Sequence, residues 1–282
     1  AMTVLLGVAT GFLAARLLWL AAGGLFASPA LERQNFRGRA VPTGVGVLLA
    51  LAVLVVEGGR TVAAAAGIGS NASPGPARVA VLVAALGFGV LGFLDDVTGG
   101  EGERGWRSHL RALAGGRLSA GGVKLLGGGA LALVLASATG SGMSLPRLAA
   151  DGALVALAAN LANGFDTAPG RTVKVTLLAW APLALAAGTG PVGVALAPVM
   201  GAGVGLLPED LTERLMLGDA GANVLGAALG VGALLELGPG ARTATVIVLV
   251  ALNFAAEAVS FGRLIEATPA LRRFDRLGRR PQ

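Results

Sequence analysis

Long apolar stretches recur along this 282-residue chain, and they leave few ways for it to fold. Runs of about 17 to 25 apolar residues are long enough to cross roughly 30 Å of hydrocarbon as helices. Inside a membrane every backbone polar group must be paired within the protein, which leaves helices or a closed barrel. Strand-like alternation is absent, and Ala, Leu, Val and Gly run continuously. The sequence therefore predicts an all-α, polytopic membrane helical bundle.

The composition agrees with a bundle that has no separate soluble domain. The chain is 54% hydrophobic and 13% charged, whereas a soluble domain carries roughly 25% charged residues. We treat residues 1–282 as a single integral membrane domain with about nine spans, the first of them too long for the apolar part of a signal peptide. The predicted spans are residues 3–26, 42–57, 78–96, 122–142, 147–163, 174–189, 190–207, 219–237 and 243–262.

The placement of basic residues predicts how the spans are oriented. Segments on the cytoplasmic side of a membrane carry an excess of Lys and Arg. With the N-terminus outside, most of the 22 basic residues fall in cytoplasmic segments. The outside segments contain only Arg60, Arg78, Arg147 and Arg242. We therefore predict an odd number of spans, with the N-terminus out and the C-terminus in.

Two polar segments are long enough to be loops. Residues 97–123 are basic and Gly-rich, and we expect a cytoplasmic loop with a short amphipathic helix around residues 106–113, lying on the membrane surface. Residues 58–77 are rich in Ala, Gly, Ser, Asn and Pro, and we expect a flexible outside loop.

Small residues at a spacing of four predict close contacts between helices. Gly201 and Gly205 form one such pair, and Gly226 and Gly230 form another. This spacing lets helix backbones approach closely in lipid. Further small-residue faces leave room for a homodimer.

The residue types restrict the metals that the chain can bind. There is no Cys and only one His, His109, so disulfides, Cys-ligated metals and a multi-histidine zinc site are excluded. A metal held mainly by oxygen atoms is expected to be magnesium, with manganese as the alternative. The net charge of +6 follows from the membrane topology, so we expect no nucleic-acid partner.

Four aspartates lie at the predicted cytoplasmic boundary. Asp95 and Asp96 end the third span, Asp166 follows the fifth, and Asp219 opens the eighth. Adjacent aspartates at a helix C-terminus oppose the helix dipole and each other, so a metal ion or a basic residue should offset them. A solvated helix end remains the alternative. Asp219 also stands where a helix cap is favourable.

A polar sector projects from the otherwise apolar fifth span. Asn160, Asn163 and Asp166 are three residues apart, which places them within about 120° of one helix face. A polar sector that faces lipid is unfavourable, so we expect it to face a cavity or another helix. Glu257 is the only acidic residue that we place well inside a span.

Basic side chains surround the same face. Arg171 and Lys174 follow the polar sector, while Arg37 and Arg263 lie in other cytoplasmic segments. Arginine binds phosphate through two parallel hydrogen bonds, although contact with lipid headgroups is the alternative for most of these residues. Carboxylates and basic groups at one surface suit magnesium-dependent phosphoryl transfer.

Four strings of the sequence resemble, in order, the motifs of one membrane enzyme family. They are residues 35–46 (NFRGRAVPTGVG), 92–96 (GFLDD), 160–166 (NLANGFD) and 216–226 (MLGDAGANVLG). The chain looks like a short, divergent member of the polyprenyl-phosphate N-acetylhexosamine-1-phosphate transferases, glycosyltransferase family 4. That family includes the phospho-MurNAc-pentapeptide translocase and the enzymes that start teichoic acid and O-antigen synthesis.

The resemblance implies an activity for this chain. A UDP-sugar would give its sugar-1-phosphate to undecaprenyl or another polyprenyl phosphate at the bacterial inner membrane, with magnesium, in envelope polysaccharide synthesis. The resemblance implies metal ligands at Asp219 and Asp95, and catalytic carboxylates at Asp95, Asp96 and Asp166. With the basic residues above, the expected substrate-binding side chains are those of Asn160, Asn163, Arg171, Lys174, Arg37 and Arg263.

The chain also departs from the family pattern. Pro169 stands where the third motif usually has a second aspartate, a His-rich cytoplasmic loop is missing, and the chain is short. These departures argue against the peptidoglycan translocase itself and leave the sugar open. A degenerate relative that binds lipid phosphate or nucleotide without turnover, and an ion-coupled transporter, stay as alternatives. A transporter should carry its carboxylates near the bilayer midplane.

Overall fold

The computed structural model describes residues 2–68, 74–98, 115, 120–139 and 144–280. The described residues confirm the prediction of an all-α, multi-pass membrane bundle. The amphipathic helix expected around residues 106–113, together with His109, lies outside the described residues.

The long helices follow the predicted spans closely. They are α1 Met2–Ala22, α2 Val47–Ala65, α3 Pro76–Thr98, α4 Ala120–Ala138, α5 Leu145–Gly164, α6 Arg171–Ala187, α7 Pro191–Leu211, α8 Gly218–Glu236 and α9 Pro239–Ala258. Eight of these helices are long and apolar enough to cross a membrane. The remaining helix, α6, has 17 residues. It runs antiparallel to α7, since the Gly170 N–H before α6 donates to Asp210 near the end of α7 at 3.0 Å.

Proline residues set where several helices begin. Pro76, Pro191 and Pro239 stand at the first position of α3, α7 and α9. The first turn of a helix has no acceptor for its N–H groups, so a proline loses nothing there, and its fixed φ angle already suits a helix. These starts lie within a few residues of the predicted span boundaries.

The prediction for the second span is wrong at both ends, because it begins and ends too early. Residues 42–57 were expected, whereas α2 runs from Val47 to Ala65. The preceding segment is a small antiparallel hairpin of β1 Glu32–Gln34 and β2 Ala40–Pro42. Gly44 then has a φ of +71°, which interrupts the chain before a helix can start. Residues 58–65, predicted as loop, are the last turns of α2.

The C-terminal part also differs from the prediction. The last long helix ends at Ala258, so Glu257 lies in its final turn and not well inside a span as expected. Two short helices follow, α10 Phe261–Ala267 and α11 Pro269–Arg276, and they fold back against the bundle.

The predicted contacts at small residues are confirmed. A Cβ atom on Gly201 of α7 would lie 2.0 Å from the backbone oxygen of Val8 in α1. A Cβ atom on Gly226 of α8 would lie 2.4 Å from the backbone oxygen of Ala158 in α5. Helices α7 and α8 therefore form the buried centre of the bundle, and α9, which has no buried residue, packs at its edge.

We expect Gly201→Ala to destabilise the protein by about 1–3 kcal/mol, because the added methyl group meets backbone that cannot rotate away. Gly129→Ala in α4 is the matched control, since its Cβ has nothing within 4 Å and alanine is the better helix former. Thermal unfolding in detergent measures both variants. Equal melting temperatures for the two would contradict the close α1–α7 contact.

Candidate functional site

The motif strings meet at one end of the bundle, where α3, α5, α7 and α9 end and α4, α6 and α8 begin. We call this end the motif face. Lys124 contacts Asp219, Arg171 contacts Asp275, and Asp96 contacts Asp219, and each of these pairs is more than 90 positions apart in the sequence. The predicted gathering of the acidic residues at one face is therefore observed in the structure.

Asp96 caps the start of α8. Its two carboxylate oxygens accept hydrogen bonds from the backbone N–H groups of Asp219, at 3.0 Å, and Ala220, at 2.9 Å. A carboxylate at a helix N-terminus satisfies free N–H groups and complements the helix dipole. Gly218 makes room, since a Cβ atom there would lie 2.6 Å from Asp96 Oδ1. The sequence suggested Asp219 as the cap, but the cap comes from a different helix.

Asp95 has different partners from Asp96. The ammonium group of Lys124 in α4 lies 3.4 Å from Asp95 Oδ2 and forms an ion pair with Asp219. With the Asn163 amide oriented so that both of its ends are satisfied, its nitrogen donates to Asp219 Oδ1 at 2.8 Å and its oxygen accepts from Lys124 Nζ at 3.0 Å. We call these four residues, Asp95, Lys124, Asn163 and Asp219, the Lys124 cluster. A single cationic atom lies among two carboxylates and an amide oxygen.

Sequence reasoning did not select Lys124 as a site residue. It was counted only among the basic residues that set the topology. Its position could have indicated a site residue. Lys124 lies one turn inside an otherwise apolar helix, where an ionisable side chain needs a partner or a cavity.

The Lys124 cluster suits a hard divalent cation. Oxygen atoms of Asp95, Asp219 and Asn163 already converge on the cationic Lys124 Nζ. Within the described residues no group of three or more His, Cys, Asp or Glu side chains could hold a metal alone. Magnesium is commonly bound by one or two carboxylates, with water and substrate phosphates as its other ligands. Asp95 and Asp219 fit that type of site.

Asp166 lies in the turn after α5, and not on the helix itself. The Thr172 hydroxyl donates to its Oδ1 at 3.1 Å. Burial raises the pKa of Asp166 to about 8, and the negative charges of Asp210 and Asp219 add to the effect. Asp166 also lines a small cavity of about 270 Å³ together with Asp210 and Glu213. This carboxyl can therefore exchange a proton, or accept a cation, near neutral pH.

A large cavity at the motif face is lined by basic side chains, and we call it the arginine cavity. Its volume is about 970 Å³, and its acidic residues are Glu257 and Glu266. The arginines that line it are Arg37, Arg171, Arg263, Arg276, Arg279 and Arg280. The excess of positive charge suits an anionic ligand such as a diphosphate.

A second cavity, of about 750 Å³, contains the Lys124 cluster, and we call it the lipid-side cavity. Its apolar wall includes Leu125 and Phe254, which are exposed on the outside of the bundle, where lipid would surround it. Asn160 and Asn163 line both cavities. Asn160 Nδ2 also donates to Asn253 Oδ1 at 2.7 Å, so the predicted polar sector faces α9 and the two cavities.

Arg171 and Lys174 hold the C-terminal helices in place. Arg171 makes two hydrogen bonds of 2.9 Å to the carboxylate of Asp275. Lys174 Nζ donates to the backbone oxygens of Asp275 and Leu277, both at 2.7 Å. Arg279 donates to the backbone oxygen of Pro169 at 2.8 Å. We call this set of contacts the C-terminal latch.

The other predicted basic residues have separate places. Arg37 forms an ion pair with the buried Glu213 at 3.0 Å, while part of its side chain lines the arginine cavity. Arg263, in α10, lines the same cavity. The structure thus brings every predicted site residue to the motif face. Asp96, Asp166 and Lys174 line neither the arginine cavity nor the lipid-side cavity.

By its fold, the chain is a multi-pass α-helical membrane protein. Comparison with known proteins does not assign it to a family within that class. No protein-family model matches the chain, and a search of curated proteins found no significant match.

We expect Asp96→Ala to lower the stability by about 1–3 kcal/mol, because two partly buried N–H groups at the start of α8 lose their acceptor. Asp95→Ala is the matched control, since the neighbouring carboxylate accepts no backbone hydrogen bond at α8. Thermal unfolding at fixed detergent concentration compares them. A larger loss for Asp95→Ala would contradict the cap.

We expect Asp275→Asn to release the C-terminal latch, because it leaves the buried Arg171 without its counter-charge. Faster trypsin cleavage in residues 261–280 would report this. Glu266→Gln is the control, since its ion pair with Arg276 is exposed and worth little. Cleavage of Asp275→Asn at the wild-type rate would contradict the latch.

The latch should also be insensitive to pH in the neutral range. Burial alone would raise the pKa of Asp275, but hydrogen bonds and charges from Arg171 and Arg279 hold it below its usual range. The stabilisation is therefore present above the unfolded pKa of about 3.9 and is lost only as the pH falls through the lower folded value. The same proteolysis between about pH 5 and pH 7 should show no opening of the latch.

Proposed function

We propose that this chain transfers a sugar-1-phosphate, of the N-acetylhexosamine type, from a UDP-sugar to a polyprenyl phosphate. The reaction would take place at the cytoplasmic face of a bacterial inner membrane and would release UMP. The observation that carries the proposal is the Lys124 cluster, where helices α3, α4, α5 and α8 bring two carboxylates, an ammonium group and an amide together. The cluster lies where a basic cavity meets an apolar one.

The two cavities suit the two substrates of this reaction. The arginine cavity matches the diphosphate of a nucleotide sugar in charge. The lipid-side cavity combines polar groups with an apolar wall that opens towards lipid, as a phosphate on a prenyl chain requires. Because Asn160 and Asn163 line both cavities, the two phosphates could meet beside them.

The transfer requires one bond to form and one to break. An oxygen of the polyprenyl phosphate attacks the sugar-bearing phosphorus of the donor. The bond from that phosphorus to the bridging oxygen breaks, and its electron pair leaves with UMP. Both reactants are anions, so positioning and charge neutralisation supply most of the catalysis in such reactions.

Four aspartates and Lys124 would position the two phosphate groups and neutralise their charge, each through a different contact. Magnesium bound by Asp95 and Asp219 would neutralise charge on the phosphate groups. Lys124 lies within reach of the same place and can donate hydrogen bonds to phosphate oxygens. Asp96 acts indirectly, because its hydrogen bond to the Asp219 backbone fixes the first turn of α8. Asp166 is available nearby to exchange a proton.

A relative that binds these ligands without turnover is the second candidate. Arg171, expected to bind the diphosphate, is paired with Asp275, and Pro169 occupies the position of a family aspartate. The transporter alternative has less support, because Glu257 lies in the last turn of α9 and the carboxylates of the Lys124 cluster lie at helix ends. Glu57 does lie in the middle of α2, but it is buried and forms ion pairs with Arg60 and Arg78, so its charge is already neutralised within the protein.

The test is UMP release by the purified protein from a panel of UDP-sugars with undecaprenyl phosphate, with and without magnesium. We expect magnesium-dependent release that falls at least a hundredfold in Asp219→Asn, as is typical when a charge-stabilising group of an active site is removed. Glu236→Gln, at the opposite end of the same helix, is the control and should retain activity. Substrate binding without UMP release from any donor would favour the second candidate.

A further inference from the structure

The C-terminal helix α11 has large apolar side chains that the rest of the described protein leaves uncovered. Leu271 is 46% exposed and Phe274 is 39% exposed, and Leu277, directly after the helix, is 66% exposed. Because α11 lies outside the long helices that cross the membrane, the lipid-facing sides of the bundle do not account for this exposure. Exposed apolar groups of this kind mark contact with a membrane or with another protein.

The apolar side chains of α11 lie between two arginines. With 3.6 residues per turn, Leu271 and Phe274 are about 60° apart around the helix. Arg272 and Arg273 lie about 100° to either side of this apolar arc. Arg276 lies roughly opposite the arc, where it lines the arginine cavity. The apolar arc therefore points away from the cavity, with one arginine on each side of it.

Two contacts hold the C-terminal helices level with the ends of the long helices. Lys174, in the first turn of α6, donates to the backbone oxygen of Asp275 in α11 at 2.7 Å. Phe261, at the start of α10, stacks on Phe165, directly after α5, with ring centroids 4.9 Å apart. Lipid headgroups lie at this level, because it is where the apolar spans end.

The charge of the C-terminal segment suits an anionic surface. Residues 259–280, which follow α9, contain six arginines and only two carboxylates. Among the described residues, no hydrogen bond or ion pair joins the Arg273 side chain to another group, and Arg272 donates only to the backbone oxygen of Glu266, at 3.3 Å. Clusters of about four to eight basic residues next to a membrane span attract anionic lipids.

We propose that α11 lies on the membrane surface and binds anionic lipids. Leu271 and Phe274 enter the acyl region, while Arg272 and Arg273 extend along the helix to the lipid phosphates, as long basic side chains do at an interface. An acidic protein in water would match the same charges, but the level of α11 at the ends of the spans favours lipid. The inference concerns neither substrate, so it does not depend on the proposed transfer reaction.

Spin labels test where the apolar arc lies. The chain contains no cysteine, so Leu271→Cys and Arg276→Cys each take a single nitroxide label in the full chain. Arg276→Cys is the matched control, because it lies opposite the arc and its ion pair with Glu266 is exposed. In nanodiscs of phosphatidylglycerol and phosphatidylcholine, we expect the label at Leu271 to collide mainly with oxygen, which concentrates in the bilayer. The label at Arg276 should collide mainly with a water-soluble nickel complex.

Equal access of the nickel complex to both labels would overturn the inference and would favour a partner protein in water.

Binding of phosphatidylglycerol tests the arginines. Native mass spectrometry of the full chain in detergent compares the double variant Arg272→Gln and Arg273→Gln with Arg39→Gln and Arg214→Gln. The second pair is the matched control, since it removes the same charge from exposed positions outside α11. We expect binding to weaken about thirtyfold in the first pair, because each arginine near an anionic surface contributes a factor of about five.

The control pair should bind phosphatidylglycerol nearly as well as the wild type, and binding of phosphatidylcholine should not change in either pair. Equal binding of phosphatidylglycerol by the two double variants would overturn the assignment of Arg272 and Arg273 to anionic lipid.

Discussion

The architecture of the site depends on the contact between Asp96 and the first turn of α8. The carboxylate ends one buried helix and satisfies the N-terminus of another, so α3 and α8 fix each other in height and rotation. Close backbone contacts reinforce it: a Cβ atom on Gly92 would lie 2.4 Å from the Asp219 oxygen, and one on Gly46 would lie 2.1 Å from the Gly221 nitrogen. Because this turn cannot shift, the Asp219 side chain is directed at Lys124.

Three basic residues at the motif face already have carboxylate partners within the protein. Lys124 lies among carboxylates, Arg37 pairs with Glu213, and Arg171 pairs with Asp275. An anionic substrate would therefore have to displace a carboxylate to reach these three side chains, whereas the arginine cavity as a whole keeps an excess of positive charge. These ion pairs stabilise the folded protein, since a buried charge without a partner is strongly unfavourable.

The sequence predicted the bundle, most helix positions and the face where the site lies, because apolar length and charge placement report on the membrane directly. It did not separate the roles of Asp95 and Asp96, which are adjacent in the chain but face different partners. Lys124 and Asp275 were missed for the same reason, since their partners lie far away in the sequence and no local spacing encodes them. The early end predicted for α2 reflects two glycines, Gly58 and Gly59, whose low helix propensity does not end the helix.

The Asp96 contact also bears on how the protein assembles. In the chain, 123 residues separate Asp96 from its partner in α8. During synthesis α3 is complete long before α8 exists, and in that interval the carboxylate has no N–H groups to bind. A charged side chain is costly in hydrocarbon, so the end of α3 must stay at the wet surface until α8 enters the bundle. Insertion of α8 is thus the step that can draw Asp96 inwards and assemble the site.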